Sequence, residues 1–168
     1  MNLLSLIAPE QSAHASMIDA LHALVFGPGA NTRAAFRLRE QGPHDINVSF
    51  VALADEEVIG SVRMTPVTCS ANHRGYLLGP LAVSPKWQNA GLGRTLVEQA
   101  VNAAKRQDNV QFVILVGDSP YYMPLGFKVA KPGRVSLPGP VDPRRLLIQG
   151  VDGFDADEVC GMIKHTGI

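Results

Sequence analysis

Along the chain the apolar positions switch between helical and strand periods, and the switches mark the elements. Leu3 to Ile7 is a short apolar run that predicts a first strand. Pro9-Glu10 then opens a helix whose apolar stripe, Met17, Ile18, Leu21, Leu24 and Val25, falls on one face. Gly27-Pro28-Gly29 ends it. Asn31-Thr32 caps a second, more polar helix to about Arg39, with Ala34, Ala35 and Leu38 turned inward and Arg33, Arg37 and Arg39 turned out. Val48 to Ala54 and Val58 to Pro66 predict a hairpin around the acidic turn Asp55-Glu56-Glu57, with the alternation carried by Val58, Gly60, Val62 and Met64.

Tyr76 to Val83 is the next strand, but Gly79-Pro80 lies inside it. A proline removes a ladder donor and belongs at edges or bulges, so this strand is expected to be interrupted or splayed. From Leu92 the positions Leu92, Leu96, Val97, Ala100, Val101 and Ala104 form one helical face, with Arg94, Glu98, Gln99, Asn102 and Lys105 on the other. Phe112 to Val116 is unbroken apolar sequence, the pattern of a strand covered on both faces, so Tyr76 to Val116 reads as a β-α-β crossover. Tyr121 to Leu125 predicts a short helix stopped by Gly126, then a strand from Phe127, a Pro/Gly-rich loop from Lys131 to Pro143, and a strand at Leu146 to Gln149. The acidic tail Asp152 to Glu158 reads as a short amphipathic helix through Val159 and Ile163. This order gives a mixed sheet in an α/β domain.

The bulk properties narrow the function. A chain of 168 residues suits a single domain, 1–168, with one core. Lys+Arg and Asp+Glu are both 15, so there is no overall basic field of the kind that binds nucleic acid, and no apolar stretch is long enough for a membrane span. The start lacks the basic region and apolar length of a signal peptide. Cys69 and Cys160 form no CxxC unit and have no His-rich setting, which points away from a disulfide framework or a zinc site. A cytoplasmic protein with no metal is expected.

The chemistry concentrates at Gln88-Asn89-Ala90-Gly91-Leu92-Gly93, between a strand and a helix. The first amides of a helix have no intrahelical partner, and glycines without Cβ atoms let a phosphate approach them. With the positive end of the helix dipole they make an anion site fitted to a diphosphate. Gln88 offers a side-chain amide donor. Arg94 offers positive charge at a helix start, where it is unfavourable unless an anion is present.

Gln88 through Gly93 resembles the Arg/Gln-x-x-Gly-x-Gly/Ala acyl-CoA signature of the GNAT superfamily of N-acetyltransferases. Tyr121-Tyr122-Met123-Pro124-Leu125-Gly126-Phe127 is similar to that family's Tyr-x-x-x-Gly-Phe segment, with Tyr122 four residues before Gly126. The resemblance implies a mixed, mostly antiparallel sheet of six to seven strands, flanked by helices and splayed between the fourth and fifth strands. It implies acetyl-CoA as cosubstrate, with its pantetheine paired to Leu81, Ala82 and Val83 and its pyrophosphate on Gln88, Asn89, Ala90, Gly91, Leu92, Gly93 and Arg94. Tyr122 is the implied acid for the departing thiolate, and an unidentified amine is the acceptor. A homodimer is compatible with it. The strand before the glycine turn, Leu77 to Val83, holds no carboxylate or histidine, so a water relay organised by Asp118 or His73 is the expected base. His14 and His22 read as surface residues of the first helix. The loops from Gly27 to Asn31 and Lys131 to Pro143 are expected to wall the acceptor pocket.

Other readings compete. A dinucleotide-binding oxidoreductase would use Gly91-x-Gly93 with Asp118 as ribose acid. Its third glycine would fall at Leu96, and seven residues from Ser84 to Ala90 separate strand from glycine. A non-catalytic acyl-CoA-binding module would carry the glycine turn with a ruined acid, whereas Tyr122 is present.

Overall fold

The computed structural model describes residues 2–28 and 34–167. Its main sheet has eight strands: β1 (Ile7–Pro9), β2 (Phe50–Ala54), β3 (Glu57–Thr68), β4 (Arg74–Val83), β5 (Phe112–Val116), β6 (Lys128–Val129), β8 (Leu146–Gly150) and β10 (Lys164–His165). The spatial order is β1-β2-β3-β4-β5-β8-β6, with β10 on β3, and every pairing is antiparallel except β4 with β5. β7 (Val135–Ser136) and β9 (Gly161–Met162) make a separate pair. The mixed α/β architecture agrees with expectation, although the sheet has one strand more than the upper expected number of seven.

That extra strand comes from the tail. Instead of a helix through Val159 and Ile163, the chain makes a single 3-10 turn at Ala156–Glu158 and continues extended through β9 and β10. Val159 and Ile163 are fully buried against the sheet, so tertiary packing outweighs the weak helical signal of so short a segment. The start differs too: Leu3–Leu6 is a 3-10 turn capped by Asn2, and only Ile7–Pro9 joins the sheet. The first helix, α1 (Ala15–Phe26), begins later than Pro9-Glu10 predicts, after a 3-10 turn at Ser12–His14. In α2 (Ala34–Arg39), Ala35 and Leu38 are buried as expected; the predicted caps Asn31 and Thr32, and Arg33, lie outside the described residues.

Strand alternation divides the core. Val62, Met64, Tyr76, Leu78, Val113, Leu115 and Leu147 face α3 (Leu92–Lys105), which buries Leu92, Leu96, Val97, Ala100, Val101 and Ala104 against them. Leu77, Phe112, Ile114, Leu146 and Ile148 pack on the other face with Ala35 and Leu38 of α2. Burial of these side chains, with roughly 1.5–3 kcal/mol from each large aliphatic or Phe side chain, is what holds the β4-α3-β5 crossover in place.

The crossover opens at its far end. β5 pairs in parallel with Gly75, Tyr76 and Leu77, and that pairing stops at Leu77↔Ile114. Beyond it β4 stays with β3 but bulges: Val62 pairs with Leu81 and Met64 with Leu78, so Gly79 and Pro80 together oppose Arg63. The strand is therefore continuous and splayed rather than broken. At the closed end the strands approach so tightly that a Cβ on Gly75 would collide with the carbonyl and ring of Phe112.

Candidate functional site

β4 and β5 part like the arms of a V, and its open end meets the start of α3. Gly91, the N-cap of α3, has φ +88, a left-handed conformation that glycine adopts without penalty. Its carbonyl accepts from the amide and hydroxyl of Thr95, at 3.1 and 2.9 Å, fixing the first turn. Gly93 lies against the free end of β4: a Cβ there would be 3.5 Å from Val83 Cγ2 and 3.7 Å from Leu81 Cδ2, and 2.6 Å from the hydroxyl of Tyr121. The structure thus brings the strand segment Leu81, Ala82 and Val83 beside the first turn of α3. The amides of Leu92, Gly93 and Arg94 belong to that turn, so none has an intrahelical acceptor. Both glycines suit a close approach: Gly91 needs its positive φ, and a Cβ on Gly93 would press on the Tyr121 hydroxyl.

The other expected contributors to that turn are placed differently. Asn89 and Ala90 are exposed, Asn89 at φ +64, on the approach to Gly91. Gln88 donates through Nε2 to the Val83 carbonyl at 3.1 Å, so its amide ties the loop to β4 as well as flanking the turn. Arg94 pairs with Glu98 one helical turn on at 3.2 Å, an exposed contact of small energetic value.

Tyr122 sits at the tip of β5. The chain leaves β5 (Gly117 N to Arg145 O, 2.9 Å) and folds at once into α4 (Ser119–Tyr122) with Asp118 at its N-cap; Gly126, at φ +96, then ends the following 3-10 turn as expected. The Tyr122 ring packs on Gly117 and meets Phe127 and Tyr121 edge-on at 5.9 and 4.8 Å between centroids. Its pKa is raised well above the ordinary phenol value, by burial first and then by Tyr121 and Asp118, against an opposing effect of Arg145. Tyr122 is therefore a neutral phenol, a proton donor, at any physiological pH. Tyr121 is also raised, by burial, with Arg94 opposing.

A cavity of about 1020 Å³ runs from α1 and α2 over the β4 bulge to α4. Gly27 and Pro28 wall one side and Pro140, Val141 and Asp142 another; Gly29 to Asn31 lie outside the described residues, and Lys131 to Gly139 border a smaller cavity or neither. Asp118 reaches the large cavity and pairs with Arg145 at 3.5 Å. His73 does not: it precedes β4 at the closed end of the V, roughly 20 Å from the bulge at ~3.3 Å per residue, and packs edge-on against Phe154 at 4.8 Å.

The side chains that sequence reasoning missed lie in or behind the wall formed by α1, α2 and β3. Glu10 is 6% exposed and takes Arg63 (Nη2 at 2.9 Å, Nε at 3.2 and 3.3 Å) and His44 Nε2 (3.0 Å). Burial alone would raise its carboxyl, but the hydrogen bonds from His44 and Arg63 outweigh burial and hold it below the usual range. The signal was present in sequence, because Arg63 is the lone charge between Val58 and Thr68, but its partner is 53 residues away. His22 is no surface residue: it lines the cavity, and its Nε2 is shielded from solvent. His14 instead precedes α1, where Nδ1 accepts from the Gln11 amide at 3.0 Å. Arg39 also turns into the cavity rather than outward.

Comparison with known proteins bears on this geometry. Residues 17–127 match the family model described as the acetyltransferase (GNAT) family. The N-acetyltransferase YhbS of Escherichia coli (strain K12), itself uncharacterized, is 32% identical over 127 residues, 74% of either chain. The crystal structure of YhbS from Escherichia coli in complex with CoA superposes with a TM-score of 0.78 at 28% identity, over 95% of this chain and 88% of that one. A GNAT family acetyltransferase from Brucella melitensis in complex with acetyl-CoA shares the fold at a TM-score of 0.69 and 24% identity, over 96% of both chains. Among the described residues no helix is long and apolar enough to cross a membrane.

Proposed function

Since the chain belongs to the acetyltransferase (GNAT) family, we propose that it transfers an acetyl group from acetyl-CoA to a primary amine of a small molecule or protein, by direct attack. The observation that carries this reading is the parting of β4 from β5 beyond Leu77, with the glycine-marked start of α3 lying against the freed strand. The related YhbS was crystallised with CoA, which supports an acyl-CoA cosubstrate here.

In this reading the amides of Leu92, Gly93 and Arg94 hold the pyrophosphate, with Asn89, Ala90 and Gly91 shaping the approach and Gln88 bracing the loop to Val83. The free edge of Leu81, Ala82 and Val83 pairs with the pantetheine and polarises the thioester carbonyl. A neutral amine attacks that carbonyl; the carbon–sulfur bond breaks as the carbon–nitrogen bond forms, and the thiolate takes its proton from Tyr122. The proton lost by the attacking nitrogen passes into water, with Asp118 the carboxylate at hand near Tyr122, and the Tyr122 phenolate regains a proton from water, so that the amide and free CoA thiol are the net products. The free cysteines, Cys69 buried and Cys160 partly so, fit a cytoplasmic setting.

The test is release of free CoA thiol from acetyl-CoA in the presence of a panel of primary amines, with the acetylated amine identified by mass. Amine-dependent release matched by acetylated product supports transfer. Acetyl-CoA binding without amine-dependent release across the panel would make the chain an acyl-CoA-binding module.

A further inference from the structure

The wall of the cavity formed by α1, α2 and β3 holds a group of donors that neither acetyl-CoA recognition nor thiolate protonation uses. Arg39 reaches from the end of α2 to the bulge of β4: a Cβ on Gly79 would lie 2.7 Å from its Nη2. Arg63 stands opposite the same bulge on β3. Glu10 engages Nε and Nη2 of Arg63, while the guanidinium carries two further N–H donors on its second terminal nitrogen. His22 of α1 lines this wall, and its buried Nε2 has no hydrogen-bond partner among the described residues. Burial first, and then the charges of Arg63 and Arg39, push the His22 pKa down to about 4, against the opposing effect of Asp19 and Glu10. The imidazole is therefore neutral at pH 7 and able to donate from Nε2 when that nitrogen carries the proton.

Resting on the acetyl-transfer reading, we propose that Arg39, Arg63 and His22 form a subsite for an oxyanionic group, carboxylate or phosphate, carried by the amine acceptor within a few bonds of the acetylated nitrogen. Guanidinium groups match both oxyanions in a forked geometry. The short spacing follows from Arg39 resting on Gly79, next to the strand edge of Leu81 at which the thioester is read. The cavity also holds Asp19, Asp118 and Asp142, so it is not uniformly basic. A polycation, however, would have to pass Arg39 and Arg63 at the bulge, the point it must reach to be acetylated.

The test measures kcat/KM for thiol release by the full-length chain with acetyl-CoA and matched amines: amino acids, aminoalkyl phosphates, and the same amines lacking the anionic group. The oxyanionic members should be preferred by about tenfold or more, the size expected of a charge-assisted hydrogen bond. Comparing the carboxylate and phosphate members decides which oxyanion the site takes. Arg39→Gln should abolish that preference while acetyl-CoA affinity stays within about twofold, Arg39→Lys should retain part of it, and His22→Leu serves as a second, folding-neutral probe checked by its melting temperature. Equal or better turnover of amines lacking the anion overturns the subsite, as does an Arg39→Gln variant that slows all acceptors alike. If no panel member turns over, the N-acetylated products are titrated into the CoA-loaded protein, and failure of the oxyanionic ones to bind better than their neutral counterparts overturns it too. Failure of this subsite while acetyl-CoA still binds sinks this inference alone; failure to bind acetyl-CoA sinks the reading beneath it.

Discussion

The hydroxyl of Tyr121 stands over Gly93, so close that a Cβ on that glycine would sit 2.6 Å from the phenolic oxygen. Gly93→Ala therefore sets two effects against each other. Alanine favours the helix by up to about 1 kcal/mol, and the tyrosine tip can yield, so the melting temperature should change by only a few degrees. Acetyl-CoA affinity should nonetheless fall about tenfold, because the methyl group occupies the approach to the first amides of α3. Calorimetry on Gly93→Ala and on Gly93→Ala/Tyr121→Phe separates the causes: removal of the hydroxyl should not restore affinity if the methyl itself blocks the phosphate.

Tyr122→Phe removes one oxygen from a ring that keeps its packing on Gly117 and Phe127. The expectation is a kcat lower by roughly 100-fold or more, the range for loss of a general acid, with acetyl-CoA binding unchanged. Burial raises the Tyr122 pKa, so the wild-type rate should show no alkaline fall from this group below about pH 10, its ordinary value. A pH–rate profile with a Tyr122-dependent fall near neutrality would contradict this role.

Acid should unfold the protein in two overlapping windows whose signs agree. The Glu10 carboxyl is depressed in the folded state, so its contribution is present above the ordinary value of 4.5 and is lost as pH falls through the lower folded value. His22 is depressed to about 4 from 6.5, so the unfolded chain binds its proton first and stability declines as pH falls from 6.5 towards 4. His22→Leu should flatten the upper window and leave the lower one, as read from chemical denaturation at stepped pH. Glu10→Gln should cost about 2–3 kcal/mol at pH 7, since it leaves the largely buried Arg63 uncompensated.

Gly75→Val tests the closed end of the V. The added side chain meets the Phe112 carbonyl and ring, so about 2 kcal/mol should be lost to overpacking, with the melting temperature as readout.

The crossover was the most legible part of the fold, because its signals are local. Phe112 to Val116 and Leu92 to Lys105 emerged at their predicted places, the first as an unbroken apolar run and the second as a long amphipathic face. Gly79-Pro80 foretold the splay for a physical reason, a missing ladder donor inside an otherwise central strand. The tail was misread because β10 owes its shape to a distant partner: it pairs with Val67 and Thr68, and His165 accepts the Gly167 amide while its own amide is held by Gln41. The glycine turn and Tyr122 were visible as motifs. The cavity wall was not, since His22, Arg39 and Arg63, with Glu10 behind Arg63, come from separate elements and only the folded chain assembles them.

Titration of the purified protein with acetyl-CoA, and in parallel with NAD, tests the central claim most directly. The geometry predicts acetyl-CoA binding with a Kd on the order of 1–100 micromolar, weakened in Gly93→Ala, and no heat from NAD. Binding of NAD alone, or of neither ligand, would contradict the claim and leave the glycine turn of α3 as a purely structural link between strand and helix.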